Sequence, residues 1–280
     1  MGRLDGKIAF ITGAARGQGR SHAVRFAEEG ADIIAFDICN QVETAPYPMS
    51  TPNDLTYTVE LVESLNRRII ARQGDTRDGA RIQEVVDEGL AKFGAIDIAV
   101  ANAGIAGVGC LWELDERSWR DVVEINLSGT WKTMKAVAPA MIERRQGSII
   151  VTGSTGSIAA LPRLGHYTAA KHGVIGLVKA FAVELAPYRV RANAVNPGNV
   201  NSPMINNLAA RAAFTGSADI TAEQFSAAMQ ANNALPVPWV EVRDVSNAML
   251  YLASDESRFV TGTQHVVDAG SLLPVKVPQH

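Results

Sequence analysis

Tyr167 and Lys171 stand four residues apart in a stretch that reads as helix, so their side chains share one face. A phenol titrates near pH ~10 and is a poor base at neutrality. A neighbouring ammonium favours the phenolate and lowers that pKa. Such a pair can take the proton of an alcohol, or return it to a ketone, while a hydride moves on the other side of the carbon. Ser154 lies thirteen positions before the tyrosine, at the end of a short apolar run. Its hydroxyl suits the task of holding the substrate oxygen. A Tyr-x-x-x-Lys pair by itself is common on helix surfaces, and it gains meaning only from its company.

That company is the turn Thr12-Gly13-Ala14-Ala15-Arg16-Gly17-Gln18-Gly19, which follows a strand pattern and opens a helix pattern. Glycines there permit positive φ and close backbone approach to a pyrophosphate. The helix start offers free N–H groups and a favourable dipole. Asp37 lies twenty residues past Gly17, at the end of the second strand pattern. A carboxylate at that place accepts hydrogen bonds from the adenosine ribose and repels a 2′-phosphate, so the expected cofactor is NAD. Arg16 is the contrary signal, because a basic residue in the loop can pair with a 2′-phosphate. Asp37 outweighs it by sitting at the ribose itself.

The elements needed to hold these groups are legible as an alternation. Buried strands are expected at 7–12, 31–36, 69–72, 96–101, 148–152, 190–195 and 264–267. Helices are expected at 20–29, 53–67, 78–93, 115–145 (stopped by Gly147) and 167–185. The last of these is apolar on most faces, as suits a helix packed on the sheet or on a second subunit. Alternation of this kind demands a parallel, doubly wound α/β sheet covered on both faces, with ligands at the carboxyl ends of the strands. No repeat or linker divides residues 1–280, so a single domain is expected. Two segments break the pattern. Residues 38–52 form a long loop with three prolines, more than a βα connection needs. Residues 199–238 are irregular, with a helix-like piece at 222–232. Met204, Ile205, Leu208 and Phe214 in that region are read as a substrate cover, which suits a hydrophobic alcohol.

Of 280 residues, 47% are hydrophobic, enough to bury a full core, and the net charge of −3 gives no reason to expect nucleic acid or an anionic membrane. Cys39 and Cys110 read as reduced thiols, and the five histidines show no metal-ligand spacing. The chain enters a strand pattern at once, with no signal segment or membrane span evident, so a cytoplasmic location is expected. The four tryptophans are read mainly as packing residues, and His166 as incidental. The tail from 272 to 280 is read either as reaching a neighbouring subunit or as fraying.

Taken in order, the glycine turn, Ala101-Asn102-Ala103-Gly104, Asn126, Ser154, Tyr167 with Lys171, and Pro197-Gly198 resemble the short-chain dehydrogenase/reductase family. The resemblance runs from residue 7 to about 270. It implies a Rossmann-type, seven-stranded parallel sheet. It also implies a catalytic tetrad of Asn126, Ser154, Tyr167 and Lys171, in which Asn126 supports a proton relay through Lys171. It places the cofactor on Gly13, Arg16, Gly17, Gln18, Gly19, Asp37, Ile38, Asp75, Thr76, Asn102, Ala103, Gly104, Tyr167, Lys171, Pro197, Val200 and Ser202. Asn102 resembles the family residue that stabilises the central sheet, and Asp75 the one that contacts adenine. Ser202 stands where the family commonly has threonine and keeps the hydroxyl. Assembly into homotetramers through the two long helices is a further implication.

The insert narrows the resemblance. Asp37-Ile38-Cys39, Ala45-Pro46-Tyr47-Pro48, Thr51-Pro52-Asn53-Asp54-Leu55 and Val200-Asn201-Ser202-Pro203-Met204 are similar to the mycofactocin-associated branch, which includes carveol dehydrogenases. This implies that the loop covers the adenosine half of a tightly held NAD, and that electrons leave through mycofactocin. Two other readings stay open from the residues: a freely exchanging NAD(H) ketoreductase, and a non-catalytic NAD(H)-binding sensor. The presence of both Tyr167 and Lys171 counts against the sensor.

Overall fold

The computed structural model describes residues 2–273. Residues 274–280, most of the tail considered above, lie outside the described residues. The chain alternates β1 (Ile8–Thr12), α1 (Gly17–Glu28), β2 (Asp32–Asp37), α2 (Pro52–Ser64), β3 (Ile69–Gln73), α3 (Gly79–Phe93) and β4 (Ile98–Ala101). It continues with α4 (Glu116–Val123), α5 (Gly129–Arg144), β5 (Gly147–Thr152), α6 (Gly165–Leu185) and β6 (Val190–Pro197). Helices α7 (Leu208–Thr215), α8 (Ala222–Gln230) and α9 (Val242–Ala253) precede β7 (Gln264–Val267).

The seven strands form one parallel sheet in the order β3-β2-β1-β4-β5-β6-β7. Successive side chains of a strand face opposite layers, and the core divides accordingly. Phe10, Ile34 and Ile149 pack under α3, α5 and α6. Their neighbours Ile11, Ile33 and Ile150 pack under α1, α2 and α9. Both faces are dry over the central strands, which is why β1, β4 and the middle of β2 are continuous apolar runs rather than alternating ones. Winding reverses between β1 and β4, so a crevice opens beyond the carboxyl ends of those two strands.

Three details depart from the sequence reading. The expected helix at 115–145 is α4 and α5 joined by a π-helical turn, Glu124–Ser128, and the stop is Arg145 in the left-handed region at φ 52°. Gly147 instead opens β5 where Met141 leaves no space for a Cβ. Helix α7 lies in the region expected to be irregular, capped by Asn207, whose side chain accepts from Ala210 N–H. Helix α9 was not expected at all. Glu241 and Asp244 cap it, and Val245, Met249 and Leu252 bury one face. Among the described residues no helix is long and apolar enough to cross a membrane.

Candidate active site

The crevice holds one cavity of about 650 Å³ that runs from the glycine turn to α7. At its floor, Thr12 Oγ1 accepts from the N–H groups of Asn102 and Ala103 at 3.0 and 3.1 Å, stitching β1 to the end of β4. The Asn102 amide donates to the Thr12 carbonyl at 3.1 Å and accepts from Thr152 Oγ1 at 3.0 Å. Asn102 therefore ties three strand ends together. Gly13 has φ 69°, and a Cβ on Gly19 would lie 2.0 Å from the Gly13 oxygen. Only glycine lets α1 come this close to the turn.

Helix α1 starts without a side-chain cap, whereas α2 is capped by a reciprocal Thr51–Asp54 box. The first-turn N–H groups of α1 are thus left for a ligand, and an anion is what they favour. Arg16 lines the cavity beside them, and among the described residues it has no carboxylate partner.

At the end of β2 the Asp37 carboxylate is already engaged. Oδ2 accepts from Ala15 N–H at 2.8 Å, and Oδ1 accepts from Cys39 N–H at 3.1 Å and Ser50 Oγ at 2.6 Å. Oδ1 also takes the Cys39 thiol at 3.8 Å, so Oδ2, with a single donor, is the oxygen that has a lone pair left for a ligand hydroxyl. Cys39 stands in the left-handed region at φ 45°. Burial, with Asp37 adding to it, pushes its thiol up to about 12. Asp75 turns its carboxylate onto Arg77, which also pairs with Asp121 at 2.8 Å. Ile38, Asp75 and Thr76 line the cavity at this corner.

At the other end, Ser154, Tyr167 and Lys171 line the same cavity. Ser154 Oγ accepts from Gly156 N–H at 3.0 Å, which leaves its hydrogen for another partner. Lys171 is 4% exposed, and its Nζ donates to the Thr152 carbonyl at 2.6 Å. That places the ammonium 5.6 Å from the Tyr167 ring centre. Burial pulls Lys171 down to about 8. The expected lowering of the Tyr167 pKa is not what this arrangement gives. Enclosure by protein raises it, and the Ser154 hydrogen bond only partly opposes that. Desolvating a phenolate outweighs the one hydrogen bond that favours it.

Asn126 lies behind this wall rather than on it. Its amide donates to the Ile105 carbonyl and accepts from Ile105 N–H, both at 2.8 Å. The π turn sets it there, with its own carbonyl accepting from Thr130 Oγ1 at 2.8 Å. Gln18, Gly104, Pro197, Val200 and Ser202 complete the lining between the two ends, while Gly19 packs beneath.

The chain matches the family model described as enoyl-(acyl carrier protein) reductase over residues 13–271. It is 52% identical over 276 residues to a putative short-chain type dehydrogenase/reductase of Mycolicibacterium smegmatis, covering 97% of this chain and 99% of that one. The chain belongs to the short-chain dehydrogenase/reductase family. It is also 45% identical over 276 residues to (-)-trans-carveol dehydrogenase of Rhodococcus erythropolis, covering 98% of this chain and 100% of that protein. A crystal structure of carveol dehydrogenase from Mycobacterium avium in complex with NAD superposes with a TM-score of 0.95 at 50% identity, covering 98% and 100% of the two chains.

In this short-chain dehydrogenase/reductase the insert reaches the end of the cavity where Tyr167 stands. Val42, Pro46, Tyr47 and Met49 line the cavity, and Tyr47 packs with Ile105, Ala170, Tyr167 and Met204. The insert is pinned by Thr44 Oγ1 donating to Asp121 at 2.8 Å and by Tyr47 Oη accepting from Ala106 N–H at 3.0 Å. Gln41 holds it internally, donating to three of its carbonyls and accepting from Met49 N–H at 3.0 Å. Tyr47, Thr152 and Ser50 were not singled out from the sequence; only the three prolines around the loop hinted that it holds a fixed shape. Of the expected cover, Met204, Ile205 and Phe214 line the cavity, whereas Leu208 is exposed. None of the four tryptophans is among the lining residues.

Proposed function

We propose that this enzyme interconverts a small hydrophobic secondary alcohol and its ketone with NAD, as a carveol-dehydrogenase-like member of its family. The observation that carries the reading is one cavity shared by Ser154, Tyr167 and Lys171 with the uncapped start of α1. Its reaction end is walled by Ala159, Leu161, Pro162, Met204 and Phe214, a lining that favours an apolar alcohol.

The cavity fits the cofactor: close-packed glycines, free helix N–H groups and Arg16 suit a diphosphate, and Asp37 suits an unphosphorylated ribose. We assign Asp75 and Thr76 to the adenine end, Asn102 to Gly104 to the middle, and Pro197, Val200 and Ser202 to the nicotinamide end. Bound NAD supplies the hydride acceptor. Ser154 turns its hydrogen from the Tyr167 phenol to hold the carbinol oxygen, and Tyr167 takes the carbinol proton. Lys171, fixed on the Thr152 carbonyl, sets a cation beside the phenolate as it forms. Asn126 supports the relay from behind by holding the Ile105 backbone.

The insert at 38–52 is assigned as a seal that retains NAD, with mycofactocin as the electron acceptor. Its pinning to Asp37, Ala106 and Asp121 supports this. The region 199–238 covers the substrate within a single unit, residues 1–280. A cytoplasmic homotetramer is proposed, with exposed Trp131 on α5 and Val183 on α6 as apolar contacts.

The test is the NAD(H) released per chain from denatured protein after long dialysis, followed by turnover with alcohols. Near-stoichiometric NAD(H), with turnover needing an artificial acceptor rather than added NAD, supports the sealed enzyme. An empty protein turning over freely with added NAD removes the seal and leaves an ordinary ketoreductase. Loss of neither alcohol nor ketone under any condition removes the oxidoreductase reading.

A further inference from the structure

We propose that Tyr47 is a substrate-binding residue, donating its phenolic hydrogen to a second oxygen on the substrate. The proposal rests on the alcohol–ketone reading above and adds a substrate class: alcohols that carry another acceptor, such as a carbonyl or epoxide oxygen.

Tyr47 is placed for this by the insert rather than by the family sheet. It sits between Pro46 and Pro48 and is 6% exposed. Its ring packs in a cluster with Ile105, Ile125, Ala170, Tyr167 and Met204, which belongs to the reaction end of the cavity. Its oxygen accepts the Ala106 N–H at 3.0 Å. That bond uses a lone pair and leaves the hydrogen unspent. Among the described residues no acceptor takes that hydrogen, and the open side of the phenol is the cavity it lines. A buried hydroxyl finds a partner, here a ligand atom.

The phenol remains a donor across the neutral range, because burial pushes it up to about 12. Arg16 and Tyr167 are the ionisable groups that act on it; the first opposes that rise and the second adds to it. Ser154 and Tyr167 already serve the carbinol oxygen. A third donor in the same chamber therefore has a different atom to bind, and a substrate with a single oxygen leaves it unpaired. That asymmetry is how a buried donor discriminates.

The experiment compares wild type, Tyr47→Phe and Thr44→Val on two matched cyclic alcohols, one with and one without a second ring oxygen or carbonyl. Phenylalanine keeps the ring packing but removes the hydroxyl together with its bond from Ala106 N–H, so a second variant must report what loosening the insert does by itself. Thr44→Val loosens the insert at Asp121 without touching the cavity. For Tyr47→Phe we expect KM to rise about tenfold more on the oxygenated alcohol than on the plain one, with kcat changed less than twofold and NAD content no lower than in Thr44→Val. Thr44→Val should move both alcohols alike. Equal effects of Tyr47→Phe on both alcohols, loss of NAD beyond that of Thr44→Val, or no effect on either would overturn the proposal and assign Tyr47 to the insert's packing or to the cofactor. A wild type that oxidises neither alcohol sinks the alcohol–ketone reading first, and this inference falls with it.

Discussion

Ser50 donates its hydroxyl to Asp37 Oδ1 at 2.6 Å, so the insert closes on the carboxylate proposed to meet the ribose. Hydrogen bonds to a charged acceptor are the strong ones, worth about 1.5–3 kcal/mol. Ser50→Ala keeps the Ala15 and Cys39 contacts to Asp37 but removes this tie. We expect NAD(H) to leave the variant roughly ten- to a hundredfold faster than wild type, read by dialysis or by loss of nucleotide fluorescence. Equal retention in both proteins would mean that the seal is held elsewhere.

Tyr167→Phe removes one oxygen from the cavity wall and leaves the ring packed. Proton transfer by a positioned group contributes about 10²–10⁴-fold. The variant should bind NAD as wild type does and lose turnover by about that factor, in steady-state assays of either direction. Near-normal kcat would take the proton-transfer role away from the phenol.

Lys171 carries a cost that pH can reveal. Its pKa falls from about 10.5 unfolded to about 8 folded, because burial disfavours the cation. Between those values the unfolded chain binds a proton that the folded one does not, so stability rises with pH across that window. Below pH 8 both states are protonated and the full penalty stands. In Lys171→Met the window vanishes. Thermal melts should therefore show wild type gaining on the variant from pH 8 to 10.5, by about 2–4 kcal/mol. Parallel pH curves would show that Lys171 is not desolvated.

The central strands β1, β2 and β4 were legible because each is short, largely apolar and buried on both faces, and Ile33 beside Ile34 reads as dry on either side; the edge strands β3 and β7 are partly exposed and rested on the alternation alone. That Ser154, Tyr167 and Lys171 line one cavity was legible because Tyr167 and Lys171 share a helix face and Ser154 closes a strand. What depends on distant burial was not. The charge of Lys171 can be seen in the sequence; the Thr152 carbonyl that holds it cannot. Ser50 reaches Asp37 across thirteen residues with no periodicity to announce it. Tyr47 sits in a loop, where neither a 3.6 nor a 2 period assigns it a face. Helix α9 follows a proline-rich stretch whose turn signals hid its capping pair, Glu241 and Asp244.

His22 is a buried group whose titration should be felt by the whole fold. It is fully enclosed between α1 and α9, with Nδ1 paired to Ser246 Oγ at 2.8 Å. Its Nε2 lacks a full hydrogen bond among the described residues, although the Asn102 amide is close enough to favour the cation slightly. Burial wins, and the pKa drops from 6.5 to about 3. Between pH 6.5 and 3 the unfolded chain gains a proton that the folded one refuses, so stability falls as pH falls through that range. At pH 4.5 the loss amounts to about 2–3 kcal/mol relative to neutral pH. His22→Gln keeps a polar side chain that does not titrate. Denaturant titrations at pH 7.5 and 4.5 should show wild type losing more stability than the variant by about that amount, since the carboxylates titrate alike in both and cancel. Equal losses would mean that His22 accepts its proton inside the fold, and that the contact between α1 and α9 is looser than this packing describes.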